Sequence, residues 1–300
     1  MRIGITGGTG FLGRYIVEHL ANRGHQCRCW HRPNSDLGGL NTPRGALTWI
    51  PGQLGDARAS SDLVERCDAI VHAALDRPGA GFRGAEGNLI DFVERNVVGT
   101  LRLIEAARAA HVKRFIFIST CAVHERILDD RTLDEAHPLW PTSHYGAHKA
   151  AIEAFVHSFG FGQGFPVCSL RPTGIYGLAH PAKASKWYAL IQSVARGEDV
   201  TCARGGKEVH AADVARAVEI LLSADGIAGE SFNCYDRYIS DHEVATIAQR
   251  LTGSRSTIDG TPPSPKHQID TTKLRSLGME FGGKPLLERT IQQILDAGSR

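Results

Sequence analysis

Short apolar runs alternate with stretches whose apolar positions recur at helical intervals through the first half of the chain. Arg2–Thr6 leads into a helix from Phe11 to about Ala21, and further strands are predicted at Gln26–His31, Trp49–Ile50, Ala69–Ala74 and Phe115–Ile118. Helical spacing returns over 96–110, through Val97, Leu101 and Ile104, and over 143–159, through Ile152, Phe155, Val156 and Phe159. Gly160 and Gly162 mark the end of the second of these. A sixth strand is predicted at Val167–Leu170. Strand and helix in regular alternation predict an α/β fold, a doubly wound parallel sheet covered on both faces.

The texture changes beyond Gly177. Aromatic and basic residues cluster over 183–188, prolines over 261–265, and helical patterning resumes over 213–222. The expected organisation is a nucleotide-binding domain of 1–172 plus about 207–235, and a smaller C-terminal substrate lobe of 173–206 and 236–300. Open parallel sheets bind ligands at the carboxyl ends of their strands, so the lobe is expected there.

At 300 residues and 42% hydrophobic, the chain can build one large core with a lobe attached. The net charge of +2 is spread without a long basic run, which argues against nucleic acid as a partner. Seven cysteines lack the paired spacing of a zinc or redox motif, so buried thiols in a reducing compartment are expected and no metal. Neither a signal-peptide pattern nor a bilayer-length apolar segment is present, which predicts a soluble cytoplasmic protein without membrane association.

Two motifs carry chemistry. Glycines at 7, 10 and 13 stand between the first strand and the first helix. Gly7 suits a tight turn, Gly10 lets backbone approach a pyrophosphate and Gly13 lets the helix press on the sheet, the pattern of a Rossmann dinucleotide site. The helix N-terminus then favours the anion. Tyr145 and Lys149 stand one helical turn apart, so an ammonium can favour the phenolate of a group whose ordinary pKa is about 10. They follow a strand ending in Ser119-Thr120, whose hydroxyl can hydrogen-bond a substrate oxygen.

With these motifs the chain resembles the extended branch of the short-chain dehydrogenase/reductase superfamily. Thr6–Gly13 matches that branch's cofactor loop and Tyr145-Gly146-Ala147-His148-Lys149 its active-site signature. Further matches are Gly55-Asp56, His72-Ala73-Ala74, Asn96–Thr100, Leu170–Gly177 and His210–Ala215, spanning nearly the whole chain. The resemblance implies Tyr145 as general acid/base, Lys149 lowering its pKa and holding the nicotinamide ribose, and Thr120 polarising the carbonyl. It implies cofactor contacts from Gly7, Gly10, Phe11, Leu12 and Gly13. Asp56 and Ala57 would lie at the adenine, Ala73 and Ala74 along the ribose path, and Pro172 and Thr173 near the nicotinamide. Asn96 would support the lysine, and the two helices over 96–110 and 143–159 would form a homodimer contact.

An acidic residue at the end of the second strand would accept hydrogen bonds from a free ribose 2′-hydroxyl, but the chain reads Trp30-His31-Arg32-Pro33 there. Arg32 suits a 2′-phosphate, so NADP is expected over NAD, with NAD possible. Many nucleotide-sugar enzymes of the branch carry asparagine where this chain has Gly174, and an arginine where it has the stretch Gly205-Gly206-Lys207. His124-Glu125 replaces a common tyrosine-glycine pair, so His124 is either a substrate or proton-transfer group or a satisfied polar residue.

The expected function is NAD(P)-dependent interconversion of a secondary alcohol and a carbonyl on a small or medium organic molecule. Two alternatives stand beside it: a sugar or nucleotide-sugar epimerase or dehydratase that keeps its cofactor, and a non-catalytic dinucleotide sensor.

Overall fold

The computed structural model describes residues 1–78, 84 and 86–298. The chain forms two compact units, Met1–Pro172 with Val214–Cys234 and Ile269–Met279, and Thr173–Asp213 with Tyr235–Gln268 and Glu280–Arg300. In chain order the elements run β1 (Arg2–Thr6), α1 (Phe11–Asn22), β2 (Gln26–His31), β3 (Leu47–Pro51), α2 (Ala57–Val64), β4 (Ala69–His72), α3 (Leu89–Val93), α4 (Gly99–Ala109), β5 (Phe115–Ile118), α5 (His144–His157) and β6 (Val167–Pro172). They continue with β7 (Gly174–Tyr176), α6 (Tyr188–Ala195), β8 (Val200–Thr201), β9 (Gly205–His210), α7 (Ala211–Ser223), β10 (Ser231–Cys234), β11 (Arg237–Ser240), α8 (Asp241–Thr252), β12 (Ile258–Asp259), α9 (Thr272–Ser276) and α10 (Gly283–Gly298).

The first unit is built on a seven-stranded sheet in the order β10-β6-β5-β4-β1-β2-β3, every pair parallel. Ile3, Ile5, Ile70, Val71, Phe115, Phe117 and Val167 are buried to 1% exposure or less, as strands covered on both faces require. The strand order reverses between β1 and β4, and this switch point opens a crevice at the carboxyl ends of the strands. The expected doubly wound architecture is thus borne out, with β10 as a seventh strand beyond the six predicted.

One helix begins earlier than the 96–110 pattern indicates. Leu89 to Ala109 is helical throughout, α3 passing through a π-helical turn at Glu94–Val98 into α4. Leu89 and Ile90 are 40% and 66% exposed and only Phe92 of α3 is buried, so the apolar residues of this turn do not mark a single inward face. Asn88 starts it by accepting the N–H groups of Ile90 and Asp91.

The second unit holds a three-stranded sheet, β11-β9-β7, and a two-stranded one, β12-β8. Its core gathers Tyr176, Ile191 and Val194 with Val244 and Ile247 of α8 and Leu287 and Ile291 of α10. Residues 207–213 lie in this unit, since β9 pairs with both β7 and β11. Ile269–Met279 lies in the first, tied by the Leu133–Ile269 bridge and by Lys273, which donates to the Ser231 carbonyl. The expected division put these two short segments the other way round; strand pairing decides each. Among the described residues no helix is long and apolar enough to cross a membrane.

Gly160 ends the α5 region against a neighbouring turn: a Cβ there would lie 1.9 Å from the Gly229 nitrogen and 2.2 Å from its Cα. Backbone on both sides must then move. Gly160→Ala is expected to lower unfolding free energy by about 1–3 kcal/mol or more, measured by urea denaturation; an unchanged midpoint would show the contact can relax.

Candidate active site

The turn between β1 and α1 packs closely on backbone at Gly7 and Gly13. Gly7 has φ +75°, and a Cβ there would sit 2.7 Å from the Ala73 carbonyl carbon and 2.8 Å from the Ala74 nitrogen. A Cβ on Gly13 would fall 1.9 Å from the Gly7 oxygen. Gly10 donates to the Gly7 carbonyl at 3.0 Å and caps α1 without a side chain. The first N–H groups of the helix, those of Phe11 and Leu12 among them, therefore remain for an outside acceptor. Such a cradle fits the pyrophosphate of a dinucleotide.

A buried relay fixes this turn to its neighbours. Thr100 Oγ1 donates to the Asn96 carbonyl at 2.5 Å, so it accepts from His72 Nε2 at 2.8 Å. The proton is therefore on Nε2, and Nδ1 accepts from the Thr6 hydroxyl at 2.6 Å. Thr6 Oγ1 in turn accepts the Ala74 N–H at 3.1 Å, and Ala73 donates to the Thr6 carbonyl at 3.2 Å. Burial holds the His72 imidazole down at a pKa of about 3, which keeps it neutral. Asn96 spends its amide on Asp76 N–H and C=O and on the Phe92 carbonyl, all at 2.8–2.9 Å. It braces the segment after β4, and these bonds do not run to the lysine.

Tyr145 stands in the first turn of α5, on a helix entry held from outside. The Glu125 carboxylate accepts the Thr142 and Ser143 N–H groups at 2.5 and 2.8 Å and both their hydroxyls at 3.0 Å. Ser143 then caps the helix by accepting from Gly146 N–H at 3.1 Å. Gly146 is required because a Cβ there would meet the Ala122 carbonyl at 2.7 Å, so the helix presses onto the turn Cys121–His124 that follows β5. Thr120 opens that turn with its hydroxyl oxygen accepting from Ala122 N–H at 3.1 Å.

Lys149, one turn on, is buried, with Nζ donating to the Ile118 carbonyl at 2.8 Å and 4.5 Å from the Phe117 ring centre. Burial lowers its pKa to about 7, against the opposing pull of Glu153. A hydroxyl and an amine of tunable charge thus share the carboxyl end of β5, two strands from β1, and Tyr145 stands on the helix that packs against the turn after it.

Beneath them lies an ion pair that the sequence analysis passed over. Glu153 is fully buried and takes both Arg171 Nε, at 3.0–3.1 Å, and Nη2, at 2.6 Å. Ser119 donates its hydroxyl to the same carboxylate, whereas the Thr120 hydroxyl accepts from Ala122 N–H and keeps its proton. Arg171 Nη1 continues to the Glu135 carbonyl at 3.1 Å and to His124 Nε2 at 3.2 Å. His124 Nδ1 donates to the Pro138 carbonyl at 3.2 Å. Both ring nitrogens are spent inside the protein, so His124 is a positioning residue and its substrate-contact alternative falls away. Burial, then the Arg171 charge, holds it down at a pKa of about 4. The position of Glu153, four residues after Lys149, was the signal available.

The remaining residues lie at the rim or at strand ends. Asp56 Oδ1 caps α2 by accepting Ala59 N–H at 3.0 Å, with Ala57 the first residue of that helix. Arg32 is 62% exposed at its side chain, with Nη1 3.8 Å from Asp76, which also pairs with Arg95 at 2.9 Å. Pro172 closes β6, and Thr173 opens the second unit with a buried, unpartnered hydroxyl.

A doubly wound sheet with a glycine cradle at its switch point and a tyrosine-lysine helix after its fifth strand defines a class of nucleotide-dependent oxidoreductases. The chain belongs to the NAD dependent epimerase/dehydratase family, whose model matches residues 3–234. It is 29% identical to the low-salt glycan biosynthesis protein Agl12 of Haloferax volcanii, with 93% of each chain covered. It is 30% identical to dTDP-D-glucose 4,6-dehydratase of Mus musculus over 83% of this chain and 72% of that one. The crystal structure of a UDP-glucose 4-epimerase of Thermotoga maritima with UDP-glucose shares the fold at TM-score 0.80 and 23% identity, covering 99% of both chains. The resemblance drawn from the motifs is therefore borne out, and the protein is an enzyme of the extended short-chain dehydrogenase/reductase type.

Three buried histidines of the first unit, His72, His124 and His148, have pKa values depressed to about 3, 4 and 3. The unfolded chain takes up these protons near pH 6.5, the folded chain only near 3–4, so stability is lost as pH falls through that window. Urea denaturation is expected to show stability dropping below pH 6.5 by up to about 1.4 kcal/mol per pH unit for each histidine; a flat profile to pH 4.5 would contradict the buried neutral state.

Proposed function

We propose that the enzyme interconverts a secondary alcohol and a carbonyl, with Tyr145 as general acid/base, Thr120 and Tyr145 holding the substrate oxygen, and Lys149 favouring the phenolate. NAD(P), bound along the glycine turn, supplies the hydride acceptor or donor. What supports this is the end of β5: Ser119 donates its hydroxyl to Glu153, whereas Thr120 Oγ1 only accepts from Ala122 N–H and keeps its proton for a ligand. The low pKa of Lys149, about 7, lets its charge respond to a neighbouring phenol near neutral pH.

NADP is the proposed cofactor, gripped at its 2′-phosphate by Arg32. The exposed guanidinium can leave Asp76, 3.8 Å away, for a better-matched anion. A homodimer joined through the outer faces of α4 and α5 belongs to the same proposal; Phe155 of α5 is 40% exposed and supplies apolar surface for it.

A second function, epimerisation or dehydration of a nucleotide sugar with the hydride returned, is favoured by what the relatives are named for. Against dehydration stands the turn after Thr120. Cys121, Ala122 and Val123 carry no acid, and Glu125, the next carboxylate, is committed to Thr142 and Ser143.

Absorbance at the nicotinamide band separates the two: steady consumption of reduced cofactor with a carbonyl substrate marks net oxidoreduction, and its absence during conversion marks the epimerase. Tyr145→Phe is expected to lower turnover by about 100-fold or more while cofactor affinity stays within about twofold. Retained turnover would remove Tyr145 from its role. Arg32→Ala is expected to weaken NADP binding about 10- to 100-fold and leave NAD binding nearly unchanged, measured by calorimetry; equal effects on both would rule out the 2′-phosphate contact.

A further inference from the structure

Within the first unit, the loop that follows β2 is held in place by the helix that precedes β2. Arg32 opens this loop at the carboxyl end of the strand, where its N–H donates to the Ser35 hydroxyl at 3.0 Å and its carbonyl accepts from Ser35 N–H at 2.9 Å. Beyond Ser35 the chain lies open. Leu37 is 37% exposed, glycines stand at 38 and 39, and Gly39 sits at φ +72°. Neither apolar burial nor a stiff backbone fixes such a stretch.

Side chains of α1 grip it instead. Arg14, Glu18 and Asn22 stand four residues apart, on one face of the helix. Arg14 Nη2 donates to the Asp36 carbonyl at 2.8 Å, and Nη1 donates to the Gly38 carbonyl. Glu18 Oε1 accepts Asn41 N–H at 2.7 Å, while Asn22 Nδ2 donates to the Asn41 carbonyl at 3.2 Å. These four bonds all go to main chain, so they fix the path of the loop whatever its side chains are.

Arg14 also reaches the other way, its Nε donating to the Thr9 carbonyl at 3.2 Å inside the glycine turn. The residue is 7% exposed, and Nε, Nη1 and Nη2 each hold a carbonyl, so the guanidinium is committed to the protein and not held out to a phosphate. A cation in the first turn of a helix opposes the helix dipole, so these bonds are what keep it there. We infer that Arg14 is a positioning residue for the adenosine end of the cofactor: with Glu18 and Asn22 it clamps the loop that carries Arg32 to the glycine turn, and so sets the preference for a 2′-phosphate. This rests on the NADP selection proposed above. Affinity for a ligand falls in proportion to the fraction of molecules whose contact is in place, and NAD, without the phosphate, does not call on Arg32.

Two measurements on the full chain test the clamp. Amide hydrogen exchange without cofactor is expected to speed up at least about tenfold at Gly38 and Asn41 in Arg14→Ala, with β1 and β2 still protected. Calorimetry is expected to show the ratio of NADP to NAD affinity falling about tenfold in the same variant. Lost stability alone would weaken both cofactors together and leave the ratio where it was. Glu18→Ala is expected to lower the ratio about threefold and serves if Arg14→Ala does not fold, whereas Glu18→Gln, which keeps an oxygen for Asn41 N–H, is expected to retain the wild-type value. Exchange unmoved at Gly38 and Asn41, or a ratio within about twofold of wild type in the alanine variant that folds, would overturn the inference. Failure of the 2′-phosphate contact reads differently: Arg32→Ala would then leave the ratio unchanged, whereas failure of the clamp leaves Arg32→Ala effective and Arg14→Ala silent.

Discussion

One buried carboxylate organises the reacting end of the first unit. Glu153 on α5 binds Arg171 on β6 and Ser119 at the end of β5, so a helix and two adjacent strands share a single fully buried ion pair. Charges taken out of water are tolerable only when every remaining lone pair and proton is bonded. Here the guanidinium finds the Glu135 carbonyl and His124 as well. The consequence reaches the chemistry: the Ser119 hydroxyl proton is committed, that of Thr120 is not, and Lys149 is held one turn before the carboxylate that supports its charge.

Much of the polarity near the candidate site works in this way, on backbone and neighbours and not on a ligand. Thr6, His72 and Thr100 form a dry relay that locks β1, β4 and the helix after Asn96 in register. Asn96 pins Asp76, and Glu125 pins the entry to α5. Each neutral histidine owes its state to burial, so these residues give rigidity at the cost of acid sensitivity.

Both units also bury polar atoms without a hydrogen-bond partner, among them Arg28 Nε and His148 Nδ1 in the first and Tyr176 Oη and Glu208 Oε2 in the second. Glu208 Oε2 and Tyr176 Oη lack partners on a sheet face whose glycines leave the carboxylate its space. In a packed lobe such atoms are destabilising unless something else completes them.

The sequence alone determined the architecture and the chemistry-bearing pairs, because both are local. A strand running into Gly7, Gly10 and Gly13 needs only its own backbone to make an anion cradle, and Tyr145 with Lys149 needs only helical spacing to share a face. The alternation of apolar periods likewise set the doubly wound sheet. What only tertiary structure decided is which side chains meet across the fold. Glu153 and Arg171 are 18 residues apart and their pairing depends on α5 lying against β6; the bonds of Asn96 to Asp76 and of His124 to Arg171 likewise join residues that no local spacing brings together. The first turn at Leu89 was hidden because Leu89 and Ile90 face water while Phe92 alone turns inward, and the placement of 207–213 and 269–279 followed from strand and bridge partners distant in sequence. Local geometry is written in spacing, whereas satisfaction of buried charge is a property of neighbours that only folding supplies.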